Sequence, residues 1–266
     1  MPNLSAVLAG AALAMTVSAA TALTVLELLP TGLSSVVNPT SRWALTPFAW
    51  GFRWFEVSLA LAAFALAFSF LRALPRFRIG VVVVVVVVVV LFALGRSFVG
   101  WVNMDAPGAP ATVTGGIHWG LGIVSFISSI VAMFLTARSL RRNAQNRSLQ
   151  QSSLVMGCIT SAAIVLMFGA SRSPEMAAFF GLFERAFYIT TIIWIGTVRV
   201  TVFTLRLRAS QSAQCPCVNN AVFTNKSSTP TLTPVQYTHR HRGKVRVVAS
   251  RIGMGKSTTL VRASDK

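Results

Sequence analysis

Acidic side chains are scarce in this chain of 266 residues: six Asp and Glu stand against 24 Lys and Arg, and charged residues of both signs make up only 11%. A water-soluble domain carries about a quarter charged residues, so the composition argues against an ordinary soluble enzyme. Cysteine is also sparse. Cys158 falls in an expected helix and Cys215 and Cys217 lie near the C-terminal end, which is not the disulfide framework of a small secreted domain. Histidine occurs three times, and only His118 precedes residue 209. One histidine excludes a bis-histidine haem there and argues against a multi-histidine zinc site. No Gly-x-Ser-x-Gly elbow occurs either, so no hydrolase triad is recognisable. Nothing points to catalysis, a metal or a cofactor, and whether the chain is an enzyme stays open.

What is abundant is apolar sequence. Hydrophobic residues make up 54%, the mean hydropathy is +0.66, and the apolar residues gather in runs long enough to cross a hydrocarbon core roughly 30 Å thick. Six membrane helices are expected, at about 5–29, 54–74, 79–95, 120–137, 153–170 and 186–205. The first run lacks a basic leader and is longer than a signal-peptide core of about 7–15 residues, so it reads as a retained helix. The third contains ten consecutive valines, Val81 to Val90. In water such a run favours aggregating strands, but in lipid the backbone must bond within its own segment, and a lipid-facing helix without chemistry is the simplest reading.

Charge divides the chain in two. Residues 1–208 hold 15 Arg, no Lys and five carboxylates, a balance of +10; residues 209–266 hold nine Lys and Arg and one Asp, a balance of +8. The connections after helices two and four and the exit of helix six carry nine Arg, against five at the opposite end. By the positive-inside rule both termini face the cytoplasm and the protein lies in the cell membrane. The charge marks topology rather than nucleic-acid binding. The segment 209–266 is rich in Ser, Thr, Asn, Gln and Lys and reads as a disordered cytoplasmic tail able to contact anionic lipids. Within it, Gly253-Met-Gly-Lys-Ser-Thr258 resembles the end of a phosphate-binding loop, but Ser250 stands where the first Gly belongs and no strand-helix pattern surrounds it. Cys215, Cys217, His239 and His241 have one-residue gaps, unlike the usual zinc spacings.

Every carboxylate outside the tail falls on the extracytoplasmic side of this topology: Glu27, Glu56, Asp105, Glu175 and Glu184. His118, Arg42, Arg53, Arg172 and Arg185 share that side. Ionisable groups at membrane depth face a bundle interior or a wet cavity, so an outward polar vestibule is the functional reading. Solvated helix ends and structural ion pairs are the alternative. Glu56 follows Arg53 by three positions and Glu184 precedes Arg185, which suggests two local pairs. Glu27 sits among leucines and needs either a tertiary partner or a bound proton. Arg199 is placed to snorkel toward the cytoplasmic face. Trp43, Trp54, Trp101 and Trp119 fall where an aromatic belt is expected.

Three stretches carry a resemblance: Asn38 to Phe52, Asp105-Ala-Pro-Gly-Ala-Pro110 leading to Gly116-Ile-His118, and Gly181-Leu-Phe-Glu-Arg185 with Trp194. Together they resemble the bacterial membrane family catalogued as domain of unknown function 998, over about residues 5–208. That family has a Ser-x-Leu-Ala-x-Gly-like loop, an Asp and a Gly-x-x-His, and a Gly-x-x-Gln-Arg-like motif. Here Thr46 replaces the loop Gly and Glu184 stands where Gln is common. The resemblance implies a six-helix bundle and no known activity. Its landmarks Ser41, Asp105, His118, Glu184 and Arg185 coincide with the outer cluster. The expectation is an all-α bundle (1–208) with a tail (209–266). Its vestibule, lined by Glu27, Ser41, Glu56, Asp105, His118, Glu184 and Arg185, binds a small molecule or lipid headgroup. Asp105, His118 and Arg185 are expected to bond to one another. A small transporter, a membrane enzyme and a non-catalytic scaffold remain open.

Overall fold

The computed structural model describes residues 4–73, 79–106, 108–141 and 147–214. The elements are α1 (Leu4–Leu28), a 3-10 turn (Thr40–Leu45), α2 (Ala49–Ala73), α3 (Ile79–Val99), α4 (Val113–Leu140), α5 (Arg147–Ala170), the short α6 (Pro174–Ala177) and α7 (Phe180–Gln214). No strand occurs among the described residues. Among the described residues five helices are long and apolar enough to cross a membrane, at Gly10–Leu28, Ala49–Leu71, Val82–Val99, Val113–Leu140 and Arg147–Ala170. The protein is an all-helical multi-pass membrane protein.

Each long helix packs on the next in sequence, and α7 packs on both α5 and α1, so the bundle closes on itself. Short connections make such neighbours antiparallel. The segments 29–48, 100–106, 108–112 and 171–179 therefore gather at one end, and the C-terminal ends of α2 and α4 lie at the other.

The helices outrun the apolar stretches that announce them. α2, α4, α5 and α7 begin five, seven, six and six residues before the expected starts, and α3 continues four residues past 95, to Val99. Backbone bonding does not stop where the side chains turn polar. At α4 the start is fixed by a cap: the Thr112 hydroxyl accepts the Gly115 N–H at 3.0 Å, meeting one of the free donors of the first turn. α7 likewise continues through residue 208, the expected end of the bundle, to Gln214. Residues 215–266, with the phosphate-loop and zinc candidates, lie outside the described residues.

The valine run is helical, but not uniformly lipid-facing. Val82, Val85 and Val89 are buried while Val83, Val84 and Val87 are exposed. Ten identical residues cannot choose a face. The choice comes from farther along α3, where Phe92, Ala93, Arg96 and Val99 continue the buried stripe at helical spacing. Between α2, α4 and α7 lies a chain of edge-to-face rings: Phe55 on Tyr188 (4.9 Å), Tyr188 on Phe187 (5.1 Å) and Phe187 on Phe126 (4.6 Å). Each such pair is worth about 0.5–1.5 kcal/mol beyond its buried area. Thr160 bonds Thr190 at 2.9 Å and Trp194 donates to Ser153 at 3.1 Å, tying α5 to α7.

Candidate functional site

The deepest polar group at the 29–48 end is a buried triad. Arg96 from the last turn of α3 donates through Nη1 to Glu56 Oε1 on α2 at 3.1 Å and to the Tyr188 hydroxyl on α7; Tyr188 in turn donates to Glu56 Oε1 at 3.0 Å. The Arg96 and Glu56 side chains are 1% and 0% exposed. The guanidinium also lies over the Phe126 and Tyr188 rings, 5.5 and 5.4 Å from their centroids. Glu56 therefore does not pair with Arg53, as the local spacing suggests. Arg53 instead lies over the Trp101 ring at 5.0 Å, and the pairing that forms joins residues forty apart. The fit is incomplete: Glu56 Oε2 and Arg96 Nε are buried without a hydrogen-bond partner among the described residues.

The expected Glu184–Arg185 pair is also replaced. Successive helical residues point about 100° apart, so the two side chains reach different partners. Arg185 pairs through Nε with Glu27 Oε1 and donates from Nη1 to Asn38 O at 2.7 Å and Gly181 O at 3.1 Å. Glu27 thus has its tertiary partner, and it accepts a second bond from the Ser35 hydroxyl. Glu184 Oε2 accepts the Thr40 N–H at 2.6 Å. Gly181 makes this approach possible, since a Cβ there would sit 2.3 Å from Asn38 O. Trp43 is 1% exposed, with Arg185 over its ring at 5.2 Å. It is a core residue, whereas Trp54, Trp101 and Trp119 are exposed as belt residues are.

Asp105 and His118 bond locally rather than to Arg185, so the expected three-residue polar core does not form. Asp105 accepts from the Thr112 hydroxyl at 2.6 Å and from the Thr112 N–H at 3.1 Å. These two bonds hold its carboxyl below the usual Asp range. Its carboxylate lies against Gly115, where a Cβ would come within 1.9 Å of Oδ2. The position at the start of α4 also suits a negative charge. His118 bonds Val102 O through Nδ1 at 2.8 Å. A carbonyl only accepts, so Nδ1 carries the proton, and Nε2 of the neutral ring is left as an acceptor.

These groups surround a cavity of about 150 Å³. Its polar lining comprises Ser41, Arg96, Asp105, His118, Glu184 and Tyr188, and its aromatic walls include Phe52, Trp119, Phe126 and Phe180. Of the seven expected site residues, Ser41, Asp105, His118 and Glu184 line it. Glu56 reaches it through Arg96, and the Glu27–Arg185 pair stands beside it, holding the 31–48 segment to α7. Arg96 and Tyr188 are the residues that sequence reasoning missed. The signal for Arg96 was the apolar Phe98-Val99 after it, which continues the helix and places the charge inside.

Arg199, expected to snorkel, is instead 3% exposed and donates to Ser69 at 2.6 Å. A bonding hydroxyl on α2 offers it an internal site.

The fold and cavity define a class: a multi-pass helical membrane protein with a polar, aromatic-walled cavity at one end of its bundle. The family model described as "Protein of unknown function (DUF998)" matches residues 7–201, and the chain belongs to that family. No curated protein and no solved structure matches the chain.

Proposed function

We propose that the chain crosses the cell membrane six times, with α7 as the sixth crossing and both termini in the cytoplasm, and that its outward-facing cavity binds a small molecule or a lipid headgroup. The observation that carries this reading is the cavity itself. A volume of about 150 Å³ admits a ligand portion of roughly six to eight non-hydrogen atoms, the size at which an apolar void of that volume takes up benzene. Its few polar groups converge between apolar walls, as in small-molecule sites. The excess of Arg counted in the sequence around the connections after helices two and four and at the exit of helix six supports the orientation. In that orientation the basic segment 209–266 meets the cytoplasmic leaflet and attracts anionic headgroups.

The test is native mass spectrometry of the full chain released from mild detergent, with Gly122→Leu as the comparison. Gly122 lines the cavity, and a Cβ there meets only Phe126, at 3.8 Å, so the larger side chain fills space without breaking a bond. A stoichiometric bound species that is absent from the variant supports the reading. A clean protein that also shows no thermal shift across a panel of small cations, anions and neutral compounds overturns it in favour of a scaffold.

A further inference from the structure

The charges around the cavity do not balance. Among the described residues the buried polar end contains three carboxylates, Glu27, Glu56 and Glu184, and two guanidinium groups bonded among them, Arg96 and Arg185. Arg96 is paired with Glu56 and Arg185 with Glu27. Glu184 is 5% exposed and accepts from Thr40, and among the described residues it forms no direct salt bridge: its nearest guanidinium groups, Arg96 and Arg185, bond to Glu56 and Glu27. Of the ionisable side chains that line the cavity, besides His118, Arg96 is basic while Glu184 and Asp105 are acidic. Since Arg96 is already paired with Glu56, the cavity lining offers acidic groups without a free basic partner.

A buried carboxylate without a counter-ion is costly, and the cost is removed by a proton or by a cation that enters beside it. The walls favour a particular kind of cation. The Phe126 and Tyr188 faces are occupied by Arg96, but Phe52, Trp119 and Phe180 also line the cavity. Aromatic faces attract a weakly hydrated organic ammonium. A phosphate or carboxylate ligand would meet Glu184 and Asp105 with no unneutralised cation to hold it.

We propose that the cavity takes the ammonium end of a small organic amine or quaternary ammonium compound, with Glu184 as its counter-ion and Trp119, Phe180 and Phe52 as its walls. This assignment rests on the ligand-binding reading above and names the chemistry of the ligand. The ammonium belongs either to a free solute or to a zwitterionic lipid headgroup, and both present the same group to Glu184.

The experiment is isothermal titration calorimetry on the full chain in phosphatidylglycerol nanodiscs with choline, ethanolamine and 3,3-dimethylbutan-1-ol, the last being an uncharged isostere of choline. Choline or ethanolamine is expected to bind at least about tenfold more tightly than the alcohol, and that preference is expected to vanish in Glu184→Gln. The amide still accepts from Thr40, which favours folding. If this variant nevertheless fails to insert, Phe180→Leu provides the same reading, with choline weakened several-fold and the alcohol unchanged. Repeating the titration in nanodiscs containing phosphatidylethanolamine or phosphatidylcholine identifies the source. Competition that weakens the free amine indicates a headgroup, and an unchanged affinity indicates a solute; either is consistent with the assignment. Equal binding of the alcohol and the cations, or cation binding that survives both Glu184→Gln and Phe180→Leu, overturns the ammonium assignment. If Gly122→Leu still abolishes that binding, the cavity reading stands without it. Binding of none of the three probes overturns the assignment, and the native mass spectrum then decides separately whether the cavity holds anything.

Discussion

Removing the Glu56 carboxylate leaves Arg96 as a buried charge whose remaining bond is to the Tyr188 hydroxyl. Both members of the pair are almost wholly buried, at 0% and 1% exposure, so the single substitution exposes the full penalty of an uncompensated interior cation. Glu56→Ala is expected to cost about 3–5 kcal/mol, as breaking one side of a buried pair does. Tyr188→Phe deletes one hydroxyl that accepts from Arg96 and donates to Glu56, and is expected to cost about 1–3 kcal/mol. Replacing the pair together, as Glu56→Leu with Arg96→Met, removes both charges along with their desolvation cost. That double variant is expected within about 2 kcal/mol of the parent, so the two sites couple strongly in a double-mutant cycle. Reversible unfolding of the full chain by SDS titration in mixed micelles, followed by tryptophan fluorescence, measures the parent, Glu56→Ala, Tyr188→Phe, the single variants Glu56→Leu and Arg96→Met that complete the cycle, and the double variant. A Glu56→Ala variant within about 1 kcal/mol of the parent, or additive single effects, would refute the reading of the triad as a mutually dependent buried unit.

Other outcomes follow from the geometry. Glu27→Ala removes the Arg185 pair and the Ser35 bond from a partly exposed site, and is expected to lower stability by about 1.5–3 kcal/mol in the same titration. Gly115→Ala places a methyl on the Asp105 carboxylate and should displace it, detected as a lower melting temperature that Asp105→Asn does not lower much further. The Asp105 carboxyl is held below its usual value of 3.8 by Thr112, so its contribution is fully present above that value and is lost as pH falls through the depressed folded value. The stability gap between parent and Asp105→Asn should therefore close at acid pH; a gap constant down to pH 2 contradicts the assignment. Truncation after Gln214, where α7 ends, should leave the melting temperature unchanged.

The helices were legible because hydropathy is a local property. Runs such as 54–74 and 153–170 announce themselves, and their true starts were missed because α2 and α5 continue through residues that look like interface. The polar end was legible as a region for a similar reason. Glu27, Glu56, Asp105, His118 and Glu184 fall on one side of any topology with six crossings. The partners were not legible. Spacing suggested Arg53 with Glu56 and Glu184 with Arg185, yet Glu56 pairs across 40 residues and Glu27 across 158. Those pairings depend on which helices are neighbours, and no periodicity carries that. Arg96 was lost through a boundary four residues short, and Tyr188 because a phenol in an apolar helix looks like packing. Asp105 and His118 line the cavity, but their bonds are local, to Thr112 and Val102.

The attachment of the 31–48 segment to α7 has a kinetic side. Leu182 N–H donates to Val36 O at 3.0 Å, Thr40 N–H to Glu184, and Arg185 to Asn38 O. Two of these three bonds involve a charged side chain, so releasing all of them costs on the order of 5 kcal/mol and makes the detached state a few thousandfold rarer than the attached one. The first connection is therefore a fixed part of the wall on any timescale shorter than the breaking of those bonds. The cavity lining on another side comes from Met104, Asp105 and Trp119, which take no part in those three bonds. The hydrogen bonds of Asp105 are made to Thr112, seven residues away in the chain, so they are independent of the contact between the 31–48 segment and α7.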